Sequence, residues 1–267
     1  MLSKPPWLNT VAALIYAFLY MPIFVLILFS FDESRTAVHW TGFTVKWYQK
    51  LMTDDVLAQA VLNSLIVAFS AVIVSGTMGT LAAVGLSRQH FAGKSMYRGL
   101  VMLPILIPEI AMAVSALILF VACGITLSLT TIIVSHIVFC VAYVTLTVMG
   151  RLEGMDKRLE EAAQDLGASP VNAFFRVTLP LLMPGIIAGC MLAFVLSLDD
   201  FVITQFTAGV GSTTLPLRIF SLVKFGVSPE INALSTLMIL FTVAVTLVAE
   251  LIRRKESSPS GQIPASH

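Results

Sequence analysis

Hydrophobic residues run along this chain in long unbroken stretches, not in the narrow stripes of a water-soluble helix. A hydrocarbon layer about 30 Å thick takes roughly 20 apolar residues to cross as a helix. Six stretches reach that length: Leu8–Phe31, Val61–Leu86, Gly99–Cys123, Leu127–Met149, Leu181–Phe206 and Ile231–Val248. Backbone amides find no water in lipid, so each stretch is read as a helix. The alternating ten-residue segments of a membrane barrel are absent from the sequence. The pattern therefore predicts an all-α integral membrane protein with six spans, residues 1–255 forming one domain and 256–267 a polar, disordered tail. The first span is too long for a signal h-region and lacks a small-residue cleavage site, so it is expected to stay.

One water-soluble island interrupts the later spans. From Asp156 to Pro184, overlapping the expected cytoplasmic loop 151–180, the chain reads DKRLEEAAQDLGASPVNAFFRVTLPLLMP. Leu159, Ala162, Ala163 and Leu166 fall at i, i+3, i+4 and i+7, one apolar stripe of a helix, with Glu160, Glu161, Gln164 and Asp165 on the polar face. Gly167 stands where a left-handed turn ends that helix. Ser169 followed by Pro170 is an N-cap with proline at N1, so a second short helix begins at once, with Val171, Phe174, Phe175 and Thr178 as its stripe. The prediction is a helix-turn-helix knuckle where two spans meet water.

Composition agrees with the membrane reading: 57% of residues are hydrophobic and 12% charged. Lys4, Arg88, Lys94, Arg98, Arg151, Lys157, Arg158, Arg176, Arg253, Arg254 and Lys255 fall on one side of the predicted spans. Arg35, Lys46, Lys50, Arg218 and Lys224 fall on the other. The positive-inside rule then places both termini and the knuckle in the cytoplasm. Topology accounts for the basic residues, and no nucleic-acid partner is expected. Cys123, Cys140 and Cys190 lie in or at the ends of spans without metal-like spacing and are read as small core residues.

Against this apolar background a few polar residues stand out. Glu109, in LPILIPEI, lies about ten residues from the edge of its span, close to mid-membrane, with Pro104 and Pro108 bending the helix beside it. A carboxylate there costs at least about 2.5 kcal/mol and should face protein or water, either on a path or against a neighbouring helix. Asp199 and Asp200, in FVLSLDDFVIT, are the most expensive pair in the chain and call for a cation. Neighbours on a helix differ by about 100°, so one is expected on a central path and the other against a helix. Phe194 and Phe201 flank the pair, and Tyr143 lies in the preceding span; aromatic faces beside carboxylates suit an organic ammonium. A salt bridge to a partner subunit is the competing reading. His136 is read as hydrogen-bonded inside the bundle, and no metal site is expected. Gly76, Gly79 and Gly85 offer close helix contact in the second span. Val45, Tyr48, Leu51 and Met52 share one face of a short helix expected to rest on the outer membrane surface.

The knuckle also carries a resemblance. Glu161-Ala162-Ala163, three residues, Gly167, nine residues, Val177, one residue and Leu179-Pro180 resembles the EAA loop of ABC importer permeases, with Val177 where isoleucine is commoner. SLDDFVIT, SHIVFC, EAAQDLGASP and FGVSPEINAL extend the likeness over almost the whole chain to the second permease of the bacterial spermidine/putrescine branch, with Glu109 where aspartate is expected. That resemblance implies a MetI-like fold, N-in and C-in, in the bacterial inner membrane. It implies a second homologous permease, two ATPase subunits and a periplasmic polyamine-binding protein. Glu161, Ala162, Ala163, Asp165, Gly167, Ala168, Ser169 and Phe174 would be the ATPase-coupling contacts; Asp199, Asp200, Glu109, Phe194, Phe201 and Tyr143 would line the substrate path. The chain lacks a GxxxxGK[ST] loop, so it is expected to be non-catalytic and to bind no cofactor, ATP and Mg residing on the ATPase. A permease for another small cationic solute, or an ATP-independent transporter or channel, is the alternative.

Overall fold

The computed structural model describes residues 6–34, 39–156, 158–224 and 229–257. Regular structure among them is helical, apart from one isolated antiparallel bridge between Asp32 and Phe43. Five segments are long and apolar enough to cross a membrane: α1 (Pro6–Phe29), α3 (Asp55–Arg88), α6 (Leu129–Glu153), the run from α8 (Pro170–Ala173) through a π turn (Phe174–Thr178) into α9 (Leu179–Asp199), and α12 (Pro229–Ser257). A sixth is composite. Helices α4 (Lys94–Leu106) and α5 (Glu109–Ala122) meet at an angle of 108°.

That angle corrects the reading of the third span as one bent helix. Ile107 is extended, as a residue preceding proline prefers, and Pro108 is extended as well, so the ladder stops at Leu106 and restarts at Glu109. Glu109 consequently sits in the first turn of a helix, not in the middle of one. The fifth span departs from expectation in the same way. Helix α9 ends at Asp199, Asp200 is extended, and a separate short helix, α10 (Val202–Thr207), follows. The expected 100° offset between the two aspartates therefore does not apply.

The chain divides into two compact units. In the larger, residues 60–217 and 244–267, α6 and α9 form the most extensive helix pair, α4 packs on α6, and α10 packs on α5. Small residues set these distances: a Cβ on Gly79 would lie 2.8 Å from Val144, and one on Gly185 would lie 2.8 Å from Arg151 Cβ. Gly85 has nothing within 4 Å and takes no part. Cys140 is buried and Cys190 half-buried, but Cys123 is exposed at the end of α5, outside the core expected for it.

In the smaller unit, residues 1–59 and 218–243, α1 is exposed along nearly its whole length. A helix this apolar on every side is matched to lipid or to another membrane helix. The short helix α2 (Lys46–Met52) is present, rolled differently from expectation. Trp47 Nε1 donates to Asp32 O at 2.7 Å and Tyr48 OH pairs with Ser30 Oγ at 2.7 Å, which turns Tyr48 and Leu51 inward and leaves Val45 and Met52 outside. Lys50 pairs with Glu230 at 2.5 Å, and Arg218 with Asp54 at 3.5 Å. Asp54 caps α3 by accepting from Leu57 N and Val56 N. Those donors, helped by Arg218, hold its carboxyl below the usual aspartate value against partial burial. Helix α12 runs two residues past the expected boundary at 255. Residues 258–267 of the expected tail, with Lys4, Arg35 and Lys157, lie outside the described residues.

Candidate functional site

Two places concentrate the chemistry, both in the larger unit. The first is the break between α9 and α10. Asp200 Oδ2 accepts from Thr204 N at 2.8 Å and from Thr204 Oγ1 at 2.7 Å, while Oδ1 accepts from Ile203 N at 3.3 Å. A carboxylate thus neutralises the open donors and positive end of α10. From α6, His136 reaches the same group: Nε2 lies 3.1 Å from Asp200 Oδ2 and 3.1 Å from Thr204 Oγ1, and Nδ1 lies 2.7 Å from Ser197 Oγ. A neutral ring satisfies this arrangement, Nε2–H donating to Asp200 and Nδ1 accepting from the Ser197 hydroxyl. All four residues are buried.

Beside this network a cavity of about 200 Å³ opens, lined by Glu109, Tyr143 and Asp200 among Pro104, Ile105, Ile107, Met112, Phe139, Leu196 and Ile203. Three of the expected path residues therefore meet in one place. The α4–α5 break is what delivers Glu109 there, carrying its carboxylate to the side of Asp200. Asp199 is exposed and has no hydrogen-bond partner among the described residues. Phe194 packs on Phe69, with ring centres 5.1 Å apart, and Phe201 is half-buried at the break; neither lines the cavity. His136, Ser197 and Thr204 were not among the expected site residues, though S-x-x-D-x-x-x-T around the aspartates was there to be read. No group of three or more metal-ligating side chains occurs among the described residues.

The second place is the knuckle. Helix α7 (Arg158–Asp165) is closed by Ala168 N donating to Ala163 O at 3.0 Å and Gly167 N to Gln164 O at 2.8 Å, with Gly167 at φ +89°, the left-handed turn expected. Ser169 Oγ accepts from Asn172 N at 3.3 Å with Pro170 at N1. Glu161, Ala162, Asp165, Gly167 and Ser169 are exposed, while Ala163, Ala168 and Phe174 are half-buried. The chain itself leaves the first stripe uncovered: Leu166 is 90% exposed and Leu159 48%. The second stripe is rotated from expectation, because the π turn at Phe174–Thr178 adds a residue to the repeat. Ala173 and Thr178 point inward, and Val171 and Phe175 point out.

Glu160 also departs from the polar face assigned to it. Its Oε1 accepts from Thr178 Oγ1 at 2.8 Å and lies 3.0 Å from Arg88 Nη2. Arg88 is the last residue of α3, so one side chain ties the knuckle to a span and to the π turn. Neither Arg88 nor Glu160 was expected as a site residue.

Comparison with known proteins places both sites in context. The fold resembles that of a bacterial importer of the acidic polysaccharide alginate, with a TM-score of 0.76 at 16% identity over 94% of this chain and 96% of that one. It also resembles the MetNI methionine ABC transporter, with a TM-score of 0.61 at 19% identity over 74% and 93%. In sequence, the chain is 43% identical over 249 residues to the spermidine/putrescine transport system permease protein PotC of Haemophilus influenzae, covering 93% of this chain and 97% of that protein. It is 42% identical over 243 residues to the putrescine transport system permease protein PotI of Escherichia coli, covering 88% and 86%. Residues 75–255, which hold the knuckle, the α9–α10 break and the cavity, match the binding-protein-dependent transport system inner membrane component family, and the chain belongs to that family.

Proposed function

We propose that this chain is one of two related permease subunits of an ATP-driven importer of polyamines, with the knuckle facing the cytoplasm and both termini on that side. It is a non-catalytic membrane subunit. Two ATPase subunits, holding ATP and Mg, dock on the knuckles, and a periplasmic binding protein delivers substrate from the other side of the inner membrane.

The observation that carries this reading is the uncovered face of the knuckle. Leu166, Leu159, Val171 and Phe175 stand exposed on segments held rigid by a closed turn and a serine cap. An apolar surface of this kind is expected where a partner protein sits. Nucleotide-driven movement there is passed on by Glu160 to Arg88 at the end of α3 and to Thr178 at the foot of α9. Substrate choice rests on the named relatives and on the cavity. Glu109 and Asp200 present two carboxylates beside the Tyr143 ring, a setting that compensates ammonium groups on a slender chain. Asp199, exposed one residue before the break, adds charge on the approach.

Purification in mild detergent with identification of companions, followed by ATP hydrolysis measured with and without putrescine or spermidine plus the binding protein, tests this reading. Stoichiometric ATPase and a second permease, with hydrolysis stimulated by a polyamine, are expected. A chain that purifies without an ATPase contradicts the assignment. Stimulation by a different cationic solute alone replaces the substrate and leaves the architecture.

A further inference from the structure

Where α3 ends and α4 begins, beside the knuckle, lies a second cavity of about 320 Å³, sharing no lining residue with the one beside Asp200. Arg88, Lys94 and Arg98 line it together with Ser87, Met155 and a single carboxylate, Glu153. Arg88 is the decisive side chain. It is 11% exposed, its Nη2 lies 3.0 Å from Glu160 Oε1, and neither Nη2 nor Nε, both buried, has a well-aligned hydrogen-bond acceptor. Nη2 has its ion-pair partner in Glu160, but a buried Nε–H without an acceptor is costly.

The helix adds to the imbalance. Lys94 is the first residue of α4 and Arg98 follows one turn later on the same face, at the positive end of the helix dipole. No acidic residue lies in that first turn, and the N-cap Gly93 offers no side-chain acceptor. Lys94 Nζ donates to Gln89 O at 3.0 Å, which fixes its head at the cavity without neutralising it. With Arg88 paired to Glu160, Lys94, Arg98 and a helix N-terminus converge on a space lined by one further carboxylate, Glu153.

We propose that this cavity is a phosphate-binding site, taking either the headgroup phosphate of an anionic lipid or a free phosphate. A phosphoryl group supplies several acceptor oxygens to the unfilled Arg88 donors in the forked geometry that guanidinium matches. Basic pockets between membrane helices at the water boundary hold anionic headgroups by the same chemistry. Occupancy sets the position of Arg88 and hence its grip on Glu160 of the knuckle.

The test uses the whole purified transporter, stripped of lipid, and measures binding of phosphatidylglycerol, phosphatidylcholine and inorganic phosphate to the natural chain, to K94Q/R98Q and to the control K224Q. Lys224 lies over the Phe220 ring and does not line the cavity. Phosphatidylglycerol binding weakened about tenfold in K94Q/R98Q and unchanged in K224Q establishes the site, since each charge-assisted contact contributes on the order of a few-fold to tenfold. Failure of inorganic phosphate to displace the lipid assigns the site to headgroups; binding of phosphate alone, equally sensitive to K94Q/R98Q, assigns it to a soluble ligand. Equal binding of the two lipids with no effect of K94Q/R98Q, and no phosphate binding, overturns the proposal.

Discussion

The knuckle and the α9–α10 break invert each other. At the knuckle, apolar Leu166 is 90% exposed in a stretch rich in charge; at the break, Asp200 and His136 are buried in a stretch that is otherwise apolar. The difference lies in where the compensation comes from. Asp200 is satisfied within the chain by three donors from α10 and by the ring from α6. Leu166 has no cover among the described residues and is open to a partner. The break is a joint held from within whose carboxylate also borders the cavity, and the knuckle is a face left open.

Substitutions sharpen that contrast. The largest loss of stability is expected for Asp200→Ala, which strips the α10 N-terminus and His136 of their shared acceptor and should cost about 3–5 kcal/mol. Asp200→Asn keeps an acceptor and should cost less. Thermal unfolding in detergent ranks the two, and equal, small effects would show that the joint is not closed as described. Gly79→Val comes next, at about 1–3 kcal/mol, because a Cβ already meets Val144 at 2.8 Å and Thr145 N at 3.1 Å. Ser169→Ala removes the knuckle cap and should cost about 1 kcal/mol, read as faster hydrogen exchange at Asn172.

Asp54→Asn is a smaller change. Because the folded carboxyl is held below its ordinary value, its contribution is present at neutral pH and is lost as pH falls through that lowered value. The variant should narrow the stability gap between neutral and acidic solution. Leu166→Asp should leave the unfolding temperature of the chain unchanged and yet abolish copurification of the ATPase. A loss of stability instead would mean that Leu166 is covered from within.

How far the sequence could be read follows the same division. The knuckle was legible because its signals are local: Gly167 turns the chain and Ser169 caps a helix three residues on. The roll of the second stripe was missed, since a π turn leaves no mark in hydropathy, and so was the tie of Glu160 to Arg88 and Thr178, whose partners are distant in sequence. The six apolar stretches were legible by length. The two breaks were not, because length and apolarity continue through them. Ile107–Pro108 carried the signal of a residue forced extended by the proline after it, read only as a bend. At the second break, Asp200 meets His136, 64 residues earlier, a pairing no local pattern announces. The split expected for the aspartates holds, one against a neighbouring helix and the other open, and what the sequence left undecided was which: Asp200 is the one bonded to α6 and Asp199 the exposed one.

Reconstitution into liposomes tests the central claim most directly. Labelled putrescine and spermidine should enter only when this chain is assembled with its second permease, an ATPase and the binding protein, and only with ATP present. Entry into vesicles containing this chain alone, without nucleotide, would contradict the account.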